Sequence, residues 1–170
     1  MSDINIYVAD LAAYNEGYLH GKWIDATLQP EDIQEEINKI LASSPVEDSE
    51  EYAIHDYEGF EGASLSEYEG IESAHEKACF IEEHGKLGAE ILNYYGDDLG
   101  DAEKALEDHY CGCYKSLAEY AEELTEQGGG IPEHLAYYID YEKMGRDMEY
   151  SGDIFTIETA YDEVHIFWNH

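Results

Sequence analysis

The sequence contains very few basic residues. Among its 170 residues there are 8 Lys and Arg in total, and Arg146 is the only arginine, against 41 Asp and Glu. A site that processes nucleic acids, nucleotides or other phosphates needs Lys or Arg to stabilise the charge that develops during reaction. A Gly-rich loop followed by Lys, the pattern that cradles a nucleotide phosphate, is also missing from the sequence. The scarcity of cations therefore argues against enzymes that act on phosphates.

Cysteine and long apolar runs are scarce as well. The chain has three cysteines, an odd number, and Cys111 and Cys113 are too close in sequence for a framework of disulfide bonds. No basic segment followed by an apolar run opens the chain, and no apolar stretch reaches the ~18 residues that a membrane span requires. These features predict a cytoplasmic protein rather than a secreted or membrane-spanning one.

Apolar and aromatic residues are abundant enough to form a core. The chain is 44% hydrophobic and contains 16 Tyr, 4 Phe and 2 Trp, whereas acidic disordered chains are poor in aromatic residues. The formal net charge of −33 is therefore carried by a folded protein. Most of the tyrosines are expected to be buried or half-buried, and the others to lie at an interface.

The negative charge is spread evenly along the chain. Residues 1–60 contain 14 acids and 2 bases, residues 61–120 contain 15 and 4, and residues 121–170 contain 12 and 2. Since no separate acidic tail exists, carboxylates must cover most of the folded surface. Their mutual repulsion destabilises the compact state, so the excess indicates either a use for the charge or adaptation of the whole proteome to salt.

The first third of the sequence predicts a small antiparallel sheet with one helix. Residues 4–8 and 51–57 alternate between apolar and polar positions, and residues 18–26 offer another strand after a turn at residues 14–17. Pro30 is placed to open a helix with an apolar residue at every third or fourth position.

The rest of the chain predicts helices followed by a C-terminal pair of strands. Ser66 and Glu69 form a capping box before a helix that runs to Gly85. Apolar patterns predict further helices over 87–95, 102–124 and 132–144, and strands over 154–157 and 163–167. The predicted fold class is α+β, with helices and strands segregated along the chain.

Two candidate metal sites fail on their geometry. His109, Cys111 and Cys113 lie in a segment predicted to be helical, where positions i, i+2 and i+4 do not share a face and cannot converge on zinc. They are interpreted as buried helix residues. Residues 97–101 lack the alternating oxygen ligands and terminal Glu of a calcium loop, and they are expected to cap a helix. No metal or cofactor is predicted.

Candidate catalytic groups are equally weak. His55 and Asp56 are adjacent on a predicted strand, so their side chains point to opposite faces, and no Gly-x-Ser-x-Gly motif accompanies them. A hydrolytic pair of carboxylates stays open, because nearly any two acids in this chain can lie close together. We predict no catalytic residue from the sequence.

The most distinctive string of residues in the sequence is Glu51-Tyr-Ala-Ile-His-Asp-Tyr-Glu58. Further strings lie near the two ends of the chain: Tyr7-Val-Ala-Asp-Leu11, Tyr14-Asn-Glu-Gly17, Gly21-Lys-Trp-Ile24, Tyr138-Ile-Asp-Tyr141, Gly145-Arg-Asp-Met148 and Ser151-Gly152. In kind and in order, these strings resemble the ArdA-type antirestriction proteins. Residues 63–130 resemble that family in helical character and acidity more than in exact residues.

This resemblance implies a DNA mimic that derives from mobile genetic elements. Members of the family are elongated homodimers whose carboxylates imitate the phosphates of bent B-form DNA. The implied partner is the methyltransferase and specificity core of a type I restriction–modification enzyme, whose DNA groove they occupy, with no direct binding of nucleic acid and no membrane. The implied architecture is three small domains in a row: an N-terminal β-rich domain over 1–62, a central helical domain over 63–103 and a C-terminal α+β domain over 104–170 that carries the dimer contact.

Inhibition of this kind needs no enzyme activity, because the inhibitor competes with DNA. The carboxylates expected to imitate phosphates are Glu31, Asp32, Glu35, Glu36, Glu69, Glu72, Glu76, Glu82, Glu83, Asp97, Asp98, Asp101, Glu103, Glu107, Glu119, Glu122, Glu123 and Glu126. Two other functions are left open: an acidic protein that buffers cations, and a hydrolase that uses an unrecognised pair of carboxylates.

Overall fold

A computed structural model describes residues 3–169 of the chain. The chain divides into two units, Met1–Asp97 and Asp98–His170. Each unit combines one three-stranded antiparallel sheet with helices, which confirms the predicted α+β class. The finer division into three domains, with boundaries after residues 62 and 103, stays a prediction. Among the described residues, no helix is both long and apolar enough to cross a membrane.

The first unit contains a sheet, two longer helices and a short one. Its elements in chain order are β1 (Asn5–Asp10), α1 (Leu11–Asn15), β2 (Gly21–Asp25), α2 (Pro30–Ala42), β3 (Tyr52–Glu58) and α3 (Ile71–Tyr94). The sheet has the order β2-β1-β3, and both pairings are antiparallel. The strands predicted over 4–8 and 51–57 and the helix opened by Pro30 are confirmed, with bounds that differ by one or two residues.

Helix α2 packs against one face of this sheet. Pro30 occupies its first turn, where the missing N–H costs no hydrogen bond. Buried apolar side chains on the helix and on the two strands that it contacts include Ile33, Ile37 and Ile40 on α2, and Ile6, Val8 and Ile24 on β1 and β2. Full burial of one such side chain contributes about 1.5–3 kcal/mol. The outer face of α2 is left to its acidic residues.

A short helix that the sequence does not predict precedes the predicted turn at residues 14–17, where the Gly17 N–H donates a hydrogen bond to the Tyr14 carbonyl at 3.0 Å. Asp10 caps α1 by accepting a hydrogen bond from the Ala13 N–H at 3.2 Å, and β2 consequently begins at Gly21, later than predicted. Asp10 is fully buried and also accepts a hydrogen bond from the Ser49 hydroxyl. Burial opposes its ionisation, but hydrogen bonds from Ser44, Ser49 and Ala13 outweigh burial and keep the pKa of Asp10 below its usual value.

Helix α3 begins later than the capping box predicts, and it is interrupted at Gly85. The Ser66 N–H donates to the Glu69 carboxylate at 3.1 Å, but this bond closes a turn, and regular helix begins at Ile71. Gly85 adopts φ 64° and ψ −145°, a conformation that favours glycine. The predicted interruption at Gly85 is therefore confirmed.

The second unit also contains a three-stranded antiparallel sheet, in the order β4-β6-β5. Its elements are α4 (Leu99–Lys104), a π-helical turn (Ala105–His109), β4 (Tyr110–Tyr114), α5 (Leu117–Gly128), α6 (Glu133–Ala136), α7 (Tyr141–Tyr150), β5 (Ile154–Ala160) and β6 (Glu163–Trp168). Tyr120 from α5 and Ile154, Val164 and Ile166 from the sheet form a buried cluster. The predicted pair of C-terminal strands is confirmed.

The sequence predicts two continuous helices in this unit, and both predictions are wrong. The sequence predicts one helix over 102–124, but the chain forms β4 over Tyr110–Tyr114 and resumes helix only at Leu117. Cys113, which fits the helical stripe, instead lies opposite His165 on β6. The backbone hydrogen bonds that β6 offers outweigh the helical spacing, because tertiary pairing decides strand formation more than local preference does. The helix predicted over 132–144 is likewise divided into α6 and α7.

Candidate functional site

The predicted carboxylates lie mainly on helices. Helix α2 carries Glu31, Asp32, Glu35 and Glu36; α3 carries Glu72, Glu76, Glu82 and Glu83; α4 and the π-helical turn carry Asp101, Glu103 and Glu107; and α5 carries Glu119, Glu122, Glu123 and Glu126. Glu69 precedes α3, and Asp97 and Asp98 precede α4. All of them are exposed except Glu36, Glu69 and Glu123, which are partly buried. Regular backbone therefore fixes the position of nearly every candidate.

Helix α5 illustrates how the sequence directs these side chains outward. Tyr120 and Ala121 are buried, and at 3.6 residues per turn the glutamates on either side of them fall on exposed or half-exposed positions. The Ser116 hydroxyl caps the helix by accepting a hydrogen bond from the Glu119 N–H at 3.2 Å. The Glu119 carboxylate in turn accepts a hydrogen bond from the Lys115 N–H at 3.0 Å. The helix and its cap hold this row of carboxylates in place.

Three candidate carboxylates of the first unit line one groove. Glu31 and Glu35 from α2 and Glu72 from α3 surround a cavity of about 460 Å³, together with the side-chain amides of Gln34 and Asn38. Gln34 donates a hydrogen bond to Asn38 at 2.9 Å. The remaining lining residues are uncharged, so the groove offers oxygen acceptors to a cationic side chain and holds no cation of its own.

A second groove lies beside α5 in the second unit. Glu122, Thr125 and Glu126 line one side of a cavity of about 460 Å³, and Tyr137 and Tyr141 are among the residues that line the rest. Two of the four candidate carboxylates of α5 thus lie next to exposed or half-exposed aromatic side chains.

Glu36 and Glu69 differ from the other candidates because they have basic partners within the chain. The Nζ atoms of Lys22 and Lys39 lie 2.6 Å and 3.2 Å from the Glu36 carboxylate, and these hydrogen bonds lower the pKa of Glu36. Lys77 Nζ lies 3.1 Å from Glu69, and the two side chains are only 7% and 12% exposed. Burial opposes ionisation of Glu69, but hydrogen bonds from two serines and from Lys77 outweigh burial and hold its pKa below the usual value.

Glu123 is also engaged within the chain. The Tyr114 hydroxyl donates a hydrogen bond to its carboxylate, and this bond, with burial and the neighbouring negative charge, raises the pKa of Tyr114 to about 12. Burial and a hydrogen bond to Cys111 raise the pKa of Tyr120 as well. The phenols of this region therefore stay neutral, and the negative charge is carried by carboxylates alone.

Most of the exposed carboxylates have no basic partner. Within residues 3–169, a Lys or Arg side chain lies within ion-pair distance of only two carboxylates, those of Glu36 and Glu69. Two further carboxylates lie near a histidine, His55 in one case and His84 in the other. The other candidates therefore present charge that no cation of the described chain neutralises.

His109 ends the π-helical turn, but Cys111 and Cys113 lie on a strand, so the helical argument against a metal site at these three residues is wrong. Both cysteines belong to β4, and alternate residues of a strand can share a face. A register shift before Gly112 instead places Cys111 against the buried cluster, while Cys113 is exposed opposite His165. In the part of the chain that the structure describes, no three His, Cys, Asp or Glu side chains are arranged to hold a metal ion.

The remaining acidic and histidine patterns have structural partners. Asp98 caps α4 as expected, by accepting a hydrogen bond from the Asp101 N–H at 3.0 Å. His55 Nε2 lies 3.4 Å from the Glu67 carboxylate, and the His55 ring contacts Tyr14 edge to face. Its sequence neighbour Asp56 is exposed, so the two adjacent side chains have different surroundings.

A comparison with protein families agrees with the distribution of these residues. The model of the antirestriction protein (ArdA) family matches residues 6–163, which include every candidate carboxylate. The chain belongs to the ArdA family. A search of curated proteins found no match.

In this member of the ArdA family, the sequence prediction left out the exposed carboxylates of α7. Glu142, Asp147 and Glu149 are exposed on α7, which extends to Tyr150, whereas the helix predicted from the sequence ends at residue 144. The half-buried Met144 and Met148, one helical turn apart, are the signal for a helix that continues beyond Gly145.

Proposed function

We propose that this protein blocks type I restriction–modification enzymes by filling their DNA-binding groove with fixed carboxylates. Membership of the antirestriction (ArdA) family supports the biological outcome. The observation that carries the mode of action is that most candidate carboxylates are exposed on helices and lack basic partners in the described chain. A surface of this kind attracts a protein that grips DNA through Lys and Arg.

The charge density along α5 supports imitation of DNA. Glu119, Glu122, Glu123 and Glu126 lie within one helical segment. At a rise of 1.5 Å per residue they span about 10 Å in three intervals, so the mean spacing of the charges is about 3.5 Å along the axis. Duplex DNA carries one charge per about 1.7 Å, and one of its strands carries one per about 3.4 Å. The helix therefore presents carboxylates at about the linear charge density of one DNA strand.

Electrostatic attraction explains how the inhibitor competes. A DNA-binding groove lined by Lys and Arg attracts any array of negative charges, and complementary potentials accelerate the encounter. DNA must in addition be bent to fit many enzymes, at a cost of order 1–6 kcal/mol. Carboxylates attached to folded helices need no such bending. Restriction is blocked by occupancy, and no bond is made or broken.

The proposal includes a homodimer that extends the carboxylate surface. We propose that the C-terminal domain, residues 104–170, carries the dimer contact, and that domains over 1–62 and 63–103 extend away from it. Like charges favour such an extended arrangement because separation reduces their repulsion. A cytoplasmic location follows from the proposed target, which acts on DNA inside the cell.

A DNA-displacement titration tests this function. Labelled duplex is bound to a type I methyltransferase core, and the protein is added at salt concentrations from about 50 to 200 mM, where phosphate contacts weaken strongly. We expect stoichiometric displacement without a time-dependent phase. Because the protein lacks the condensed counterions of DNA, its affinity should fall less steeply with salt than that of DNA.

A triple variant tests the contribution of the carboxylates that line the groove of the first unit. A variant with Glu31→Gln, Glu35→Gln and Glu72→Gln keeps the shape of the side chains and removes three charges, so it should displace DNA less effectively than the unaltered protein. Absence of displacement by the unaltered protein would overturn the proposal. Inhibition that grows with time would indicate a hydrolase, and inhibition relieved by excess Ca²⁺ alone would indicate a cation buffer.

A further inference from the structure

The sheet of the first unit has a second face, opposite to α2, with aromatic and acidic side chains. Because side chains alternate along a strand, the residues that flank the buried Ile6 and Ile24 point to this face. They include Tyr7 on β1 and Trp23 on β2, which lie opposite each other in the register. Trp23 is 43% exposed, although tryptophan is costly to leave in water.

The strand register arranges six side chains of this face in two adjacent rows. One row is Trp23, Tyr7 and Asp56, and the other is Asp25, Asn5 and Glu58. The Asn5 amide donates a hydrogen bond to the Glu58 carboxylate at 3.1 Å, which fixes one end of the second row. We call Tyr7, Trp23, Asp25, Asp56 and Glu58 together the aromatic face.

The Tyr7 ring is held in one place by its surroundings. A Cβ at Gly21 would lie 2.5 Å from the Val8 carbonyl oxygen and 2.8 Å from Tyr7 Cζ, so the ring lies directly over the backbone of Gly21. The Trp23 ring packs against it, with centroids 5.4 Å apart and planes inclined by 57°. The string Gly21-Lys-Trp-Ile24 thus provides both the space for one ring and the second ring. Such preorganisation reduces the entropy lost on binding.

The aromatic face carries negative charge and no cation. Within the described chain, none of Asp25, Asp56 and Glu58 forms an ion pair. Lys22, the sequence neighbour of Trp23, pairs with Glu36 on α2, on the other side of the sheet. The face therefore complements a group that is both cationic and able to stack on an aromatic ring.

We propose that the aromatic face binds an arginine side chain of the partner protein. A guanidinium group is planar, stacks on Trp, and can donate paired hydrogen bonds to carboxylates, whereas the lysine ammonium acts as a point charge. This inference rests on the proposed function for the nature of the partner, a protein that binds DNA through basic residues. It adds a contact that duplex DNA does not offer, since the bases of DNA are stacked inside.

Substitutions at Trp23 test the inference in the displacement titration. Trp23→Leu keeps apolar area and removes the aromatic ring, so about tenfold more protein should be needed, the effect of losing one desolvated cation–aromatic contact. Trp23→Phe keeps a ring and should recover most of the affinity. Tyr68→Leu is the control, because Tyr68 is 72% exposed, lies outside the aromatic face and outside the proposed dimer domain, and should change nothing.

A second measurement does not depend on the restriction enzyme. In a Trp168→Phe variant, Trp23 is the only tryptophan, and its fluorescence reports on the aromatic face. A short peptide that contains arginine should change this fluorescence at millimolar concentration, and the same peptide with neutral citrulline should not. Equal responses to the two peptides would overturn the inference.

The outcomes separate the inference from the proposed function. Failure of the unaltered protein to displace DNA overturns the proposed function, and the peptide measurement then judges the aromatic face alone. Displacement that Trp23→Leu weakens no more than Tyr68→Leu overturns the inference and leaves the function standing. If Trp23→Leu unfolds, the pair Asp56→Asn and Glu58→Gln replaces it, and we expect at least threefold weaker displacement; an unchanged titration would overturn the inference.

Discussion

Replacing Lys77 by methionine should destabilise the first unit, because it leaves the buried carboxylate of Glu69 without its countercharge. Lys77 Nζ lies 3.1 Å from that carboxylate. At an effective dielectric constant of about 20, two charges at this distance attract each other by about 5 kcal/mol, and desolvation offsets part of this. Removing one partner of a buried pair costs about 3–5 kcal/mol. Since Ser66 and Ser73 still donate hydrogen bonds to Glu69, we expect the lower end, about 3 kcal/mol.

Urea unfolding of the Trp168→Phe protein, followed by Trp23 fluorescence, measures this loss in the unit that contains the pair. Lys86→Met is the matched control, because it removes an exposed lysine from the same helix. The double variant Glu69→Gln and Lys77→Met should regain part of the stability, because no charge is then left buried. A loss below about 1 kcal/mol, the range of exposed pairs, or a double variant no more stable than Lys77→Met, would refute the reasoning.

The same pair predicts a dependence of stability on pH. The pKa of Glu69 in the folded protein is held below its usual value of 4.5. The contribution of the pair is therefore complete above pH 4.5 and is lost as pH falls through the lowered pKa. In Lys77→Met this dependence should be weaker, because only the hydrogen bonds from Ser66 and Ser73 still oppose the effect of burial on the pKa of Glu69. Unfolding curves of both proteins between neutral and acidic pH would reveal the difference in slope.

Three further outcomes are expected. Gly21→Ala should destabilise the first unit by about 1–3 kcal/mol, because the new Cβ would collide with the Val8 carbonyl and the Tyr7 ring; urea unfolding measures this. Glu126→Gln should weaken DNA displacement by less than about fivefold, because exposed charges each contribute about 0.2–1 kcal/mol; a complete loss would indicate a specific catalytic role instead. Small-angle scattering should give an elongated dimer, and a spherical monomer at ordinary salt would contradict the proposed assembly.

Elements with strong local signals could be predicted from the sequence. Strand β1 alternates apolar and polar residues, α2 begins at Pro30 with a regular apolar stripe, and the interruption of α3 occurs at a glycine. Each of these signals acts within a few residues, so no knowledge of distant partners is needed.

Strand β4 could not be predicted in this way. Its residues Tyr110–Tyr114 pair with β6, 50 to 57 residues later in the chain. The spacing of apolar residues favours a helix through this segment. The strand is stabilised instead by its pairing with β6 and by the packing of Cys111 on the buried cluster. A single sequence gives no signal of such a partner.

The candidate site shows the same division. Exposure of most acidic side chains follows from their place on amphipathic helices, and the sequence is sufficient for it. The pairing of Glu69 with Lys77 depends on the turn that precedes α3, and the aromatic face depends on the register of three strands. Neither feature could be predicted from the sequence, because each depends on where residues lie that are distant in sequence or separated by an irregular turn.

Charge alone leaves a DNA mimic with a problem of selectivity. Every protein that binds DNA presents Lys and Arg, so an array of carboxylates attracts all of them to some degree. Specificity requires a contact that the intended partner can complete and that others leave unpaired. The aromatic face offers such a contact, because Trp23 and Tyr7 interact favourably with a partner that has an arginine at this position and gain no such interaction from a partner without one.

Salt screens the exposed carboxylates more strongly than a stacked, desolvated contact. Raising ionic strength therefore weakens unselective encounters first, and the combination of many carboxylates with one aromatic site becomes more selective at physiological salt than in dilute buffer.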